Sequence, residues 1–509
     1  MELKKNTVNI CRIPAKGTTK TMVDSDVIVP DVKPDILKIL QVDADCCVTD
    51  TYIENGKLII NGRVDYKVLY IPDTENERIK SILTSMDFRQ SADAGGGGMD
   101  CVGICVPSIE RVEFNTVNSR KLRLRAIVDL DYEVCIREET QICSDIEGEE
   151  TERKQCDMSF ENTVEISSHD FTVKELVEIP SGQRSIKEIL KTDVSVTDTE
   201  YKSLNGKVIV KGVVDICVLY TDTECEIKFV SCESPFTEVF DAEGAGEDTV
   251  FDIDWLVINV MSELQSDSDG DLRLVAVDTD IQAYIRGSEK VLYPVLCDCF
   301  VPDMKTKCHT EPLSLVQTVE RPSLQNTIRE IIDFTDDIPG VSAVYNVMNE
   351  AVITKAEQEG KRIICEGKIE TRILYLTDTS ENPLYMLKKD IPFSYMLECE
   401  SDIKGLEIDA KVQVRHLSYN LTSSGSLELR CLVGIDTRLI KNTVIENITS
   451  VENTECDRRK GIVVYFAKQG DVLWDIAKKY STSCEKIVTH NNLENEKISK
   501  GAKIFIPSC

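Results

Sequence analysis

The chain has 509 residues, 42% of them hydrophobic, and a formal charge of −30 from 89 acidic and 59 basic side chains. That length predicts three or four domains; the sign of the charge argues against a phosphate backbone, so no nucleic acid is expected as a partner; and no apolar run is long enough to cross a bilayer. The 20 cysteines are too sparse and scattered for a secreted disulfide scaffold, and Cys135, Cys217, Cys365 and Cys431 sit inside apolar strand patterns, so reduced core thiols are expected.

In chain order, the first twenty residues carry Lys4, Lys5, Arg12, Lys16 and Lys20 with no apolar stretch between them. Without a signal-peptide core, a protein retained in the cytoplasm is expected. Pro34 to Leu40 reads as a short helix, proline first and Ile36, Leu37 and Leu40 on one face. Gly56 to Tyr70 then alternates with period two, with Leu58, Ile60, Val64, Tyr66, Val68 and Tyr70 on the apolar side, as a half-buried strand does. Gly62 inside that strand marks a bulge or a close backbone approach. Ala92 to Gly98 is a polar, glycine-bearing loop, and no Lys-Ser/Thr follows to make it a phosphate cradle. Leu122 to Val134 alternates again.

These elements recur. Gly62, Gly212 and Gly367 each precede a Leu-Tyr pair ending at Tyr70, Tyr220 and Tyr375, and successive copies are offset by 150 and 155 residues. The Leu-x-Leu elements at Leu122, Leu272 and Leu427 give the same two offsets. Two independent elements with one period imply three homologous domains. The helix-like stretch recurs at Ser185 to Leu190 and, weakly, at Pro339 to Val344, and the loop at Ala242 to Asp248. The second copy changes phase near Ala276, where a bulge is expected. The joins near Asp145 to Cys156 and Pro302 to Pro312 are polar, and Asn453 to Lys460 reads as a charged linker. The predicted fold class is mainly β (α+β): β-rich repeats with short helices at 1–145, 146–300 and 301–458, then a small βααβ domain at 459–509.

In that last domain Ile462 to Ala467 reads as a strand, and Lys468-Gln469-Gly470-Asp471 as a turn in which Asp471 caps a helix bearing Leu473, Trp474, Ile476, Ala477 and Tyr480. Trp474 is expected in the core of the domain. Ser481-Thr482-Ser483 opens a second helix, Asn491-Asn492-Leu493 closes it, and Gly501 to Pro507 forms the last strand. The run from Gly470 to Tyr480, then Asn491-Asn492-Leu493, then Gly501 to Pro507, resembles a LysM domain. That resemblance implies a shallow groove for N-acetylglucosamine glycans, such as peptidoglycan, between Lys468–Leu473 and Asn491–Glu494. The groove residues are then Lys468, Gly470, Asp471, Val472, Leu473, Asn491, Asn492 and Leu493. Val472 stands where many members carry a hydroxyl.

Three repeats followed by one LysM module are together similar to the SipL-type spore coat morphogenetic proteins of clostridia, whose repeats are SPOCS domains. The resemblance implies a scaffold without catalytic residues, working in the mother-cell cytoplasm at the forespore surface and then in the spore coat. It also implies a protein partner, the ATPase that polymerises as the basement layer of the coat. A peptidoglycan-binding wall or cortex protein is the alternative. No cofactor fingerprint or catalytic motif is found, so no enzyme is expected. The best metal candidate, Cys297-Asp298-Cys299 with Cys308-His309, lacks the ordinary ligand spacing, and no metal is expected.

Overall fold

The computed structural model describes residues 2–96, 101–148, 150–334, 338–377, 379, 381–422, 425–455, 463–493, 498–499 and 501–507. The first repeat is built from β1 (Glu2–Ile28), β2 (Ile36–Glu54), β3 (Lys57–Pro72), β4 (Lys80–Asp93), β5 (Cys101–Asn118) and β6 (Lys121–Glu147). The second repeats the plan with β7 (Glu152–Glu178), β8 (Ile186–Leu204), β9 (Lys207–Asp222), β10 (Ile227–Asp241), β11 (Val250–Ser266) and β12 (Leu272–Phe300). The third has β13 (Met304–Glu320), β14 (Ser323–Ile332), β15 (Val341–Glu359), β16 (Arg362–Thr377), β17 (Leu384–Glu398), β18 (Glu407–Leu421) and β19 (Leu427–Glu455). Its first strand is split at Pro322, which has no N–H to give to a ladder.

Each repeat folds as two antiparallel sheets, in the first repeat β2-β3-β4 and β1-β6-β5. The alternation read from the sequence puts Leu58, Ile60, Val64 and Tyr66 of β3 against Leu122, Leu124, Ala126 and Val128 of β6, all buried. The first and last strands run on past the sandwich as a two-stranded arm, with Lys4 opposite Asp145 and Asn9 opposite Glu139. The stretches expected as linkers therefore prove to be mostly strand. Asp145 to Glu147 finish β6, Glu152 starts β7 and Met304 starts β13. Their charges mark the solvent side of an arm and not a flexible join. Residues 97–98 of the first loop and 456–460 of the last linker lie outside the described residues.

The short helices expected before the central strands are not formed. Ile36 to Leu40, Ile186 to Leu190 and Val341 to Val344 are the starts of β2, β8 and β15. Each start contains two register shifts three residues apart. The partner of β3 skips Leu37 and Leu40, that of β9 skips Lys187 and Leu190, and that of β16 skips Ser342 and Tyr345. A doubled bulge spaces its extra residues as a helix turn would, and this misled the periodicity. The second skipped residue in each case turns inward. Leu40, Leu190 and Tyr345 meet Leu69, Leu219 and Leu374 in one apolar cluster fed by all three repeats. A second shared cluster joins the arms through Ile10, Phe160 and Leu315. The repeats therefore close into a pseudo-threefold ring. The bulge expected near Ala276 lies at Arg273, whose guanidinium donates to Pro180 O at 3.0 Å.

Charge is also buried where the repeats meet. Lys191, 1% exposed, is paired with Asp43 of the first repeat and with Asp193 at 3.1 Å. Asp193 also takes Lys67 of the first repeat at 3.1 Å and the Tyr345 hydroxyl of the third at 3.2 Å.

The mid-strand glycines exist for space. None of Gly62, Gly212 and Gly367 is among the residues with positive φ. Each faces a phenylalanine on the next strand, Phe88, Phe236 and Phe393, whose ring lies over it. A Cβ at Gly62 would stand 2.7 Å from Cys47 O as well as inside the Phe88 ring. Gly62→Val is expected to cost about 1–3 kcal/mol by overpacking. Phe88→Ala should recover part of that loss in the double mutant, read as urea midpoints; strictly additive losses would count against the contact.

The expectation of reduced thiols holds for sixteen described cysteines, while Cys156 and Cys297, on adjacent strands of the second arm, are joined in a disulfide. No helix among the described residues is long and apolar enough to cross a membrane.

Candidate binding site

The carboxy-terminal module consists of β20 (Val463–Phe466), α1 (Leu473–Lys479), α2 (Cys484–Asn491) and β21 (Lys503–Ile506), with Val464 opposite Phe505. Leu473, Ile476, Ala477, Ile487 and Ile504 form its buried centre. The second helix starts and stops as its sequence implies: Ser483 Oγ accepts from Lys486 N at 3.1 Å, and Asn492 adopts the left-handed conformation, φ 50°.

Asp471 is not the cap of the first helix. That position falls to Val472, which makes no side-chain cap bond. The Asp471 carboxylate turns back into its own loop and accepts from Lys468 N at 2.8 Å and from the Tyr465 hydroxyl at 2.7 Å. The bond from Lys468 N, then that from Tyr465, holds its carboxyl below the ordinary range. Asp471 therefore closes the turn, a local competition that aspartate often wins over a cap.

The eight groove residues fall into two sets. Leu473 is wholly inside, and Asn491 is fully occupied, donating to Ile487 O at 2.9 Å and Phe505 O at 2.7 Å while accepting from Phe505 N at 2.7 Å. Lys468, Gly470, Val472 and Asn492 face solvent, with Asp471 and Leu493 partly covered. Gly470 has φ +93°, so a side chain there would be strained. Glu494 lies outside the described residues. What remains accessible is the surface of Lys468, Gly470, Val472 and Asn492, on which Val472, 50% exposed, is the one apolar side chain.

The opposite side of the module is occupied. Trp474 packs against the module's apolar cluster, as expected, and also reaches beyond the module. Its ring meets Phe300 edge-on at 4.9 Å between centroids, and its Nε1 donates to Asp298 at 2.8 Å. Lys478 bonds the other oxygen of Asp298, and Asp303 N donates to Ser481 O at 2.7 Å. Phe300 is 1% exposed and belongs to the module's own apolar cluster. The seat is thus the end of β12 and the turn into β13. Sequence reasoning missed it, although Phe300 closing a Cys-Asp-Cys-Phe string was a visible signal. Cys297 is tied to Cys156, His309 lies 3.4 Å from Glu452, and among the described residues no group of three metal-ligating side chains forms.

A second feature is a cavity of about 700 Å³ lined by all three repeats. Its charged walls alternate in sign. Glu133 pairs with Arg286 at 2.6 Å, and Arg286 faces Asp252 at 4.0 Å; Asp252 pairs with Arg321 at 2.9 Å, and Glu161 pairs with Arg438. Burial opposes ionisation of Glu133, but Arg286 prevails and holds its carboxyl low. These pairs tie the first repeat to the second and the second to the third.

Comparison with known families agrees with this architecture. The SipL, SPOCS domain family matches at residues 35–117, 185–265 and 340–422, and the LysM domain family at 465–507. The three SPOCS starts are spaced by the same 150 and 155 residues as the strand motifs. The matches cover β2–β5, β8–β11 and β15–β18, and the long arms lie outside. Both families are non-catalytic binding modules. No curated protein matches the chain.

Proposed function

We propose, from the premise that this chain belongs to the SipL family of SPOCS-domain proteins and ends in a LysM domain, that it is a non-enzymatic scaffold docking coat layers to the forespore surface. The domain content is that of a sporulation-associated protein with a peptidoglycan-binding type of module. The observation that carries the finer reading is the two-sided LysM module: Trp474 and Lys478 hold it on the second repeat, while Lys468, Gly470, Val472 and Asn492 remain presented to solvent. A module held rigidly to a ring with its loops outward acts as an adaptor. The partner implied by the family resemblance is the basement-layer ATPase of the coat, met in the mother-cell cytoplasm. Binding of an N-acetylglucosamine glycan in the same loops is the second reading, favoured by the LysM match at 465–507.

Val472→Asp tests both, because it adds charge to the exposed loop without touching the core. Pull-down from sporulating cells with the full-length variant should lose the ATPase at least tenfold, about 1.4 kcal/mol, with a melting temperature no lower than that of the wild type, since aspartate suits this N-cap position. Retention of the ATPase together with lost sedimentation on purified peptidoglycan would favour the glycan reading.

A further inference from the structure

Next to the module's seat lie two thiols that no function so far described uses. Cys299, near the end of β12, is fully buried; Cys308, on β13, is partly exposed; and their sulfurs are 3.6 Å apart. Cys308 Sγ also lies 3.9 Å from Asp298 Oδ1, the carboxylate that holds the module. The groups facing this sulfur are Asp298 and Cys299 from β12, Lys478 from α1 and Cys143 from β6.

We propose that Cys308 and Cys299 form a dithiol–disulfide couple, oxidised by thiol–disulfide exchange with a small-molecule disulfide, that locks the turn on which the LysM module sits. The two roles follow from burial. Cys308 can be reached and attacks; Cys299 cannot and resolves. The Cys308 thiolate attacks one sulfur of the oxidant, RS–SR, forming a Cys308–SR mixed disulfide and releasing RS⁻. Cys299 then gives up its proton to the departing thiolate and attacks Cys308 Sγ, expelling the second RS⁻. Two protein thiols lose two electrons and two protons, and the oxidant leaves as two RSH.

The surroundings suit the first step. The hydrogen bond from Cys299 is the largest influence on Cys308 and brings its thiol down to about 7; burial works against this, and the Lys478 ammonium adds to it. Cys299 is pushed the other way, first by that same hydrogen bond and then by burial. An attacking thiol with its pKa near the ambient pH is the favoured one. The new bond would span the segment from Cys299 to Cys308, which contains Phe300 and Asp303, two of the module's contacts. Lys478 also links the sulfur to docking, since the thiolate gains its cation only when the module is seated.

The test uses the full chain, reduced, desalted and treated with oxidised glutathione at pH 7, with peptide mapping by mass spectrometry over time. A Cys299–Cys308 linked peptide should form ahead of any other new pairing, in the wild type and equally in Cys156→Ser. Cys299→Ser should trap Cys308 as a lasting glutathione adduct, whereas Cys308→Ser should leave Cys299 unmodified. Lys478→Met should slow Cys308 alkylation roughly tenfold at pH 7 and hardly at all at pH 9.5, where the thiol ionises without help. Linkage of Cys308 to Cys143 or Cys297, or a lasting glutathione adduct on wild-type Cys308, would overturn the pairing. Equal slowing at both pH values would overturn the role of Lys478. Melting temperatures of the reduced variants separate either result from misfolding.

Discussion

Asp193→Ala is expected to destabilise the protein by about 3–5 kcal/mol, the usual penalty for leaving a buried charge uncompensated. The carboxylate is the one anion shared by Lys191 and Lys67, and without it Lys191 retains only Asp43. Tyr345 loses an acceptor too, but keeps Cys217 O at 3.1 Å. The same site has a pH signature. Burial alone would raise the Asp193 pKa, but Lys191 and then Lys67 bring it down to about 2. A folded-state value below the unfolded value of about 3.9 means the contribution is complete above pH 4 and is lost as pH falls through 2. It is worth on the order of 2–3 kcal/mol. Urea midpoints followed from pH 6 to pH 2 should fall more steeply for the wild type than for Asp193→Ala. Parallel curves would show that the pairs contribute nothing.

Trp474→Ala is expected to cost the module about 3–5 kcal/mol, enough to separate its unfolding from that of the repeats. Part of that is the edge contact with Phe300, and part is the hydrogen bond to Asp298. Asp298→Ala isolates the second part. It leaves the indole N–H and the Lys478 ammonium without their shared acceptor, a loss of about 1–3 kcal/mol. The chain has only two tryptophans, so in a Trp255→Phe background the emission of Trp474 reports the seat directly. It should shift to the red in Asp298→Ala with the repeats still folded. Unchanged emission and a single coincident transition would mean that the module does not depend on its seat.

Much of the fold was legible in the sequence because the repeats state it three times. Alternation from Leu58 to Tyr70 predicted both the strand and its inward face, and Tyr66, Val68 and Tyr70 are all buried. What failed, failed locally. Ile36 to Leu40 carried the spacing of a helix because two extra residues in a strand, three apart, produce the same spacing; only pairing with β3 distinguishes them. Asp471 had the sequence position of a cap, and the nearby Tyr465 hydroxyl and Lys468 amide drew it away. The seat was out of reach for another reason. Asp298 and Trp474 are 176 residues apart, and no period or motif connects them. The groove was legible as a set of loops, but the division between exposed Val472 and Asn492 and engaged Asn491 depends on the fold of the last strand.

The three-in-one ring has a consequence for symmetry. Counted by the repeat offsets, Lys191 corresponds to Gln41 and Asn346, and Asp193 to Asp43 and Met348. A homotrimer of one repeat would bring three lysines, or none, to that centre. Joining the copies in one polypeptide lets one copy alone carry a lysine at that position, matched by carboxylates the third copy has given up. The seat obeys the same logic: Phe300 corresponds to Glu150 and Glu455, and Asp298 to Gly148 and Asn453. Duplication supplied three equivalent faces, and divergence left one of them fit to hold the module, so each ring has a single head and a defined direction.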